Sequence, residues 1–334
     1  MISHLNLNFY VKVLYISFIC STLYHLKNKG TIMINLGYAC INVKLREQNI
    51  YTNRSMIKRT FEAKGIDYAS ELSLQNCKDL YKIIQWNIDN GFKLFRMSSQ
   101  LFPWCSHYKL CDLPNYNEIK LILKQCGNLA NKNNLRLSFH PGHFCILSSP
   151  NESVVQNTIT DLNTHGEIMD LMELSRTPYN KINIHVGATY GNKELALETF
   201  CNNFNLLDDS VKTRLTVEND DKASMYSVKD LYEGVHSKIG IPIVFDYYHH
   251  KFCTGDMSEQ EALELAMKSW PTDIVPCCHY SESRRIEYND ETIKEQAHSD
   301  YCISKIDNYG HRLDIVMEAK MKEESVFNYK LLHG

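Results

Sequence analysis

Short apolar runs alternate along this chain with longer stretches in which apolar residues recur every three or four positions. The first pattern reads as buried strands and the second as amphipathic helices. Strands are predicted at Met33–Cys40, Lys93–Met97, Leu135–Phe139, Ile182–Val186, Arg214–Val217, Ile241–Phe245, Ile274–Cys278 and Leu313–Met317. Helices are predicted at Leu72–Asn90, Asn117–Asn131, Val154–Leu174, Asn192–Leu207, Tyr226–Lys238 and Glu259–Trp270. The first of these carries Leu74, Leu80, Ile83, Ile84, Trp86 and Ile88 at helical spacing and closes at Gly91. Such an alternation builds a parallel sheet, and eight units suit a single closed (β/α)8 TIM barrel over residues 33–334. A doubly wound open sheet is the structural alternative, but no G-x-G-x-x-G follows the first strand.

Polar residues fall at regular places in this pattern. His140, His185, Glu218, Asp246, His279 and Glu318 each sit at the carboxyl end of a different predicted strand. In a barrel those ends converge on one mouth, where active sites are built. Ionisable groups are costly to bury together unless they are paired or bind a cation, so the constellation predicts a metal centre. The stretch IPIVFDYYHH, Ile241 to His250, leaves two readings open for Asp246: a ligand beside His249, or the cap of a following helix. Imidazole with carboxylate, and no thiolate cage, suits zinc, manganese or iron(II). The donors outnumber the needs of one ion. Two or three ions sharing a bridging carboxylate are therefore implied, an arrangement that activates water and clamps phosphate oxygens. No G-x-S-x-G elbow or Walker loop competes with this reading. In strand geometry Cys277 shares the face of His279, and Cys278 lies on the other.

Composition narrows the picture only a little. With 44% hydrophobic and 22% charged residues the chain is of ordinary globular type, and a net charge of −3 supplies no global basic field. Binding to nucleic acid would need a local cationic groove or bound ions. Arg46, Arg54, Lys58 and Arg59 form either a phosphate-facing rim or a solvated face. The twelve cysteines show no C-x-x-C pair, which predicts reduced thiols in an intracellular protein. Asn8 to Leu26 is apolar but broken by Lys12, a poor membrane span without a signal-peptide cleavage site. Residues 1–32 are expected to be an extension outside the fold, an anchor or an upstream in-frame addition to a start at Met33.

The motifs LGYACIN (36–42), FRMSSQLFPWCSH (95–107), SFHPGHFCILSSP (138–150), NIHVG (183–187), LTVEND (215–220), FDYYHH (245–250) and MEAKMKE (317–323) together resemble the UV-damage endonuclease family. That family is similar in turn to endonuclease IV and the xylose-isomerase-like barrels. The resemblance implies a TIM barrel that nicks damaged double-stranded DNA immediately 5′ of a lesion, at pyrimidine dimers and abasic sites, leaving a 3′-hydroxyl. It implies metal ligands at His140, His185, Glu218, Asp246, His249, His279, His298 and Glu318, with Glu218 as the bridge. It implies two or three divalent ions, manganese first with zinc and cobalt as alternatives. Tyr38 and Asn42 match groups lining the groove, and His107 matches a histidine near the cluster, so Glu218 and His107 are the catalytic candidates. A monomer without a stable protein partner or need of a membrane is expected, wherever the DNA lies.

Two departures stand out. The family commonly has Gln-Tyr after HPG, where this chain has His143-Phe144, expected to read the lesion in their place. It commonly has a lysine two residues before the seventh-strand histidine, where this chain has Cys277. The competing functions are a sugar isomerase or epimerase of the same barrel group and a non-catalytic lesion-binding relative.

Overall fold

Eight parallel strands in the computed structural model, which describes residues 34–334, are β1 (Ile34–Ala39), β2 (Leu94–Met97), β3 (Arg136–Phe139), β4 (Ile182–Ile184), β5 (Leu215–Glu218), β6 (Ile243–Val244), β7 (Cys277–Tyr280) and β8 (Leu313–Met317). The expected extension at 1–32 lies outside the described residues. Hydrogen bonding runs in the order β6-β5-β4-β3-β2-β1-β8-β7, every pair parallel, and β1 joins β8 in register from Ile34 opposite Leu313 to Tyr38 opposite Met317. The remaining gap is bridged by Asp246 beside His279, whose backbone N–H donates to the Phe245 carbonyl at 2.9 Å. The barrel of the sequence reading is thus present, and its last seam falls on two candidate ligands.

Helices cover the outside of the barrel, at Lys58–Asp89, Tyr116–Lys132, Glu152–Leu171, Lys193–Phe204, Glu259–Lys268 and Lys322–His333 among others. Several begin at side-chain caps: Asn151, Asn192 and Ser258 each accept a backbone N–H of the first turn, and Ser258 completes a capping box with Glu261. The first long helix starts well before the predicted Leu72, because its opening turns are polar outside and carry only Phe61, Ile66 and Ala69 inward. Gly65, at φ 65°, breaks it there. Leu80, Ile83, Ile84, Leu123, Leu162 and Phe200 are fully buried against the outward side chains Tyr38, Phe95, Leu137, Phe139 and Ile182. Among the described residues no helix is long and apolar enough to cross a membrane.

Two strands are shorter or later than the apolar runs predict. Pro242 and Pro276 have no N–H to donate, so β6 and β7 start after them, although their carbonyls still accept from Val217 and Asp314 at 3.0 Å.

The barrel interior is polar in layers set by the two-residue period of the strands. Arg136, Ser138 and His140 follow one another inward along β3; Lys181, Asn183 and His185 do so along β4, and Asp314, Val316 and Glu318 along β8. At the bottom, Arg136 donates to Asp314 at 2.9 Å and to the Val275 carbonyl at 2.7 Å, while Asn35 donates to the other Asp314 oxygen at 2.8 Å. This fully bonded buried pair closes the lower end.

Candidate metal centre

At the upper end the strands deliver their last inward residues to one place. Nitrogen and oxygen atoms of His140, His185 and Glu218 lie within 4.8 Å of one another, and those of Glu218, Asp246, His279 and Glu318 do the same. Glu218 belongs to both groups. Its Oε2 is 3.2 Å from His140 Nε2, 3.9 Å from His185 Nε2 and 3.0 Å from His279 Nδ1, and Asn183 donates to the same oxygen. Thr216 in turn donates to Asn183 at 2.8 Å, which fixes the amide.

Backbone carbonyls aim the imidazoles. His140 Nδ1 pairs with the Pro141 carbonyl at 3.0 Å, His249 Nδ1 with Asn219 at 2.9 Å, and His298 Nδ1 with Glu318 at 3.0 Å. Asp220 holds His185 Nδ1 at 3.0 Å. In the three carbonyl-bonded rings the proton is thereby drawn to Nδ1 and Nε2 is left as the ligand atom, the usual support of a metal-binding histidine, and the Asp220 carboxylate favours the same arrangement in His185. His279 is reversed: Nδ1 faces Glu218 and Glu318, at 3.0 and 3.1 Å, and Nε2 lies 3.2 Å from Lys181 Nζ.

The cap reading of Asp246 is observed, and its second oxygen stays available to a ligand role. Its Oδ1 accepts the N–H groups of Tyr248 at 2.7 Å and His249 at 2.8 Å, capping the short helix Tyr247–His250, while Oδ2 is buried without a hydrogen bond, 4.0 Å from His249 Nδ1. Asn219 clamps the same corner, donating to the Asp246 carbonyl at 3.0 Å and accepting its N–H at 2.8 Å. His250, next to the ligand candidate His249, turns to the core beside Phe245.

The charges fit a cation. Burial opposes ionisation of Glu218, but His279 and His185 outweigh it and hold its carboxyl well below the usual carboxylate range. Burial likewise opposes Glu318, and Arg96, which donates to it, outweighs that. Asp246 has no such counter-charge: burial, with Glu218 and Glu318 nearby, pushes its carboxyl up despite His249. Burial works against a charged His249, yet Asp246 and Glu218 raise it to about 9. Burial and Lys181 bring His279 down to about 4 against the pull of Glu218. A buried carboxylate oxygen without a hydrogen bond, beside imidazoles whose lone pairs point inward, is the environment a divalent ion satisfies.

A family model described as UV-endonuclease UvdE matches residues 34–333. The chain belongs to this family. The UV-damage endonuclease of Schizosaccharomyces pombe is 36% identical over 307 residues, which cover 87% of this chain and 49% of that protein. The UV DNA damage endonuclease of Clostridium perfringens is 32% identical over 302 residues, 87% of this chain and 69% of that one. The chain thus spans about half the length of the Schizosaccharomyces relative. Among solved structures, SacUVDE superposes with a TM-score of 0.77 at 29% identity, covering 90% of this chain and 98% of that one. Endonuclease IV from Thermus thermophilus, at 12% identity and a TM-score of 0.53 over 89% of this chain and 97% of that one, shares the barrel.

Within this UvdE barrel not every residue expected at the site is there. Tyr38 and Asn42 are fully buried: Asn42 donates to the Tyr38 hydroxyl at 2.8 Å, Tyr38 donates to Asn87 at 2.8 Å, and Asn42 caps the helix Val43–Glu47. Neither presents a surface to a duplex, so the expectation that they line the groove is corrected to a packing role. His107 is exposed on a 3-10 turn, its ring 4.7 Å from Trp104 and 6.0 Å from Phe61, and it has no bond to the metal centre. Its observed contacts are with this aromatic rim. Cys277 points inward as expected, into a small apolar cluster with Ala39, Leu94, Val244 and Val316.

Arg96, Lys181, Asn183, Asn219 and Asp220 are the residues that sequence reasoning passed over. A usable signal existed for three of them. Asn183 and Lys181 stand two and four places before His185 on one strand face, and Arg96 holds the inward register of β2.

Proposed function

We propose that this protein is a metal-dependent endodeoxyribonuclease of DNA repair that nicks the backbone immediately 5′ of UV lesions, pyrimidine dimers above all and abasic sites as well, and leaves a 3′-hydroxyl. The observation that carries the reading is Glu218, one carboxylate shared between two groups of donor atoms. His140, His185 and Glu218 would hold one ion, and Glu218, Asp246, His279 and Glu318 a second, with His249 and His298 offering Nε2 to a third or to the open side. Divalent ions, manganese first with zinc and cobalt as alternatives, supply Lewis acidity toward a phosphate oxygen and a bound water of lowered pKa. The chain's own part is positioning. The carbonyls of Pro141, Asn219 and Glu318, with Asp220, keep ring protons away from the ligand nitrogens, and Arg96 steadies Glu318 in its ionised form. His143 and Phe144 stand where the family commonly has Gln-Tyr and are assigned to the damaged duplex. The names of the relatives support DNA as substrate, and the protein is read as an intracellular monomer with no stable protein partner.

The test is nicking of UV-irradiated supercoiled plasmid by metal-loaded protein, with unirradiated plasmid as control. The nicks should depend on damage and be extendable by a polymerase, and a duplex with one defined dimer should place the cut at its 5′ side. No damage-dependent nicking with manganese, zinc or cobalt would overturn the reading.

A further inference from the structure

His143 and Phe144 are neighbours in one turn, yet their side chains part. Phe144 is 65% exposed, and its ring lies over Gly142 so closely that a methyl group there would stand 2.4 Å from it. The His143 ring is 6.0 Å from that of Phe144 and lines a cavity of about 350 Å³ that Phe144 does not reach. The other walls include His185, His249, Asp220, Asp221 and Lys222. His185 and His249 belong to the metal centre, so His143 shares one chamber with it.

What His143 meets there follows from the geometry of a duplex. Base edges are presented in the grooves, whereas the backbone must lie at the metal centre for scission to occur. A chamber walled by metal-binding imidazoles is therefore a place for phosphate and sugar, and its volume is that of a small-ligand site. Asp220, one of two acidic residues in the wall, is engaged with His185 at 3.0 Å and with the Tyr226 N–H at 3.3 Å. Asp221 also stands in the wall, so bulk charge does not favour an anion, and recognition falls to individual donors. Among the described residues of this wall, His143 and Lys222 are the two donors whose side chains have no hydrogen-bond or ion-pair partner in the protein.

We infer that His143 binds a phosphate of the damaged strand beside the metal centre, donating an imidazole N–H to a non-bridging oxygen, and that Phe144 alone faces the bases. The inference rests on the endonuclease reading and divides the labour of a pair that the family's Gln-Tyr would otherwise assign jointly to the lesion.

The test is a cycle of binding measurements on the nicked product duplex, which undergoes no further cut. Metal-loaded wild type and His143→Ala are compared on duplexes carrying single neutral methylphosphonates at each phosphate flanking the nick. One such position should weaken wild-type binding about tenfold, the scale of one hydrogen bond to a charged group, and leave His143→Ala nearly unchanged. His143→Gln, with an amide N–H, should retain part of the discrimination. Equal losses in both proteins at every position would overturn the phosphate contact while leaving the nuclease reading intact. Absence of binding and of damage-dependent nicking by wild type would overturn both.

Discussion

Lys181 Nζ lies 3.2 Å from His279 Nε2, and this buried contact turns the opposite nitrogen of the ring toward Glu218 and Glu318. Lys181 is fully buried, and burial, with Arg96 and Arg136 adding to it, lowers its pKa. A buried ammonium with one polar neighbour contributes little to folding, so its place is better explained by the ring it orients. Lys181→Met, close in volume, is expected to leave the thermal midpoint of the metal-free protein unchanged or higher. Metal affinity should fall roughly 10–100-fold, the cost usual for losing the partner of a ligating histidine. Calorimetric titration with manganese checks it; unchanged affinity would make Lys181 a filler of the barrel interior.

Glu218→Gln separates the bridge from the scaffold. The amide can still accept from Asn183 and keep its place, but it cannot supply negative charge to two cations. Bound metal should drop below wild type by elemental analysis, and nicking of irradiated plasmid should be lost, with a far-UV spectrum like that of wild type. Full metal content with full activity would remove Glu218 from the centre.

The order of the fold was legible because each βα unit writes its own period: β8 is found at Leu313–Met317, where the apolar run predicts it. What periodicity does not carry is the second residue of each inward pair. His140 and His185 are conspicuous at strand ends, but Lys181 lies just before β4 and Asn183 inside it, where polar residues ordinarily mark a solvent face. In a parallel barrel both faces are covered, so that rule fails. Tyr38 and Asn42 mislead for the converse reason. Their motif is shared with a groove-lining pattern, while burial is a property of the packed barrel and has no local signature.

Cys277→Lys restores the residue common in the family and tests how the interior is charged. The change should also shift metal preference toward manganese, but the comparison carries a structural condition, since Cys277 is buried among Ala39, Leu94, Val244 and Val316 and is among the groups that influence Lys181. A second ammonium in that space is expected to destabilise the protein by about 3–5 kcal/mol, the cost of an uncompensated buried charge. Adding Lys181→Met should recover most of the loss, and only then can metal preference be compared. Thermal or urea unfolding of both variants decides it, and a single variant as stable as wild type would show that the interior admits two cations.

Metal binding should strengthen with pH. Burial disfavours the charged His249 ring, but Asp246 and Glu218 hold its pKa up at about 9, so without metal it keeps a proton across the neutral range. An unfolded histidine titrates near ~6.5. The stabilisation from His249 is thus fully present below that value and is lost as pH rises through about 9. A cation must displace the same proton, so manganese affinity should increase steadily from about pH 6.5 toward about 8.5 while the metal-free thermal midpoint declines. Affinity that is flat over this interval would show that His249 lies outside the binding equilibrium.

Under the proposed function, lesion recognition by a chain of net charge −3 requires a local feature, and Phe144 is the residue we assign to it. Pyrimidine dimers weaken stacking and pairing, so opening a damaged step costs less than opening an intact one, and an exposed aromatic ring can exploit the difference. Phe144 is 65% exposed and follows closely on His140, which the Pro141 carbonyl and Glu218 fix in place, so the ring stands near the scission point. Phe144→Ala should weaken binding to a dimer-containing duplex roughly 10-fold, the scale of one base–aromatic stack, with much less effect on the undamaged sequence. Metal content should not change, because no ligand is touched. Gly142→Ala offers an independent route to the same result. Its new methyl group would stand 2.4 Å from the Phe144 ring, which is free to swing away into solvent, so stability should survive while discrimination falls as in Phe144→Ala. Equal losses on damaged and undamaged duplexes would show that this turn supplies general affinity and that damage is sensed elsewhere.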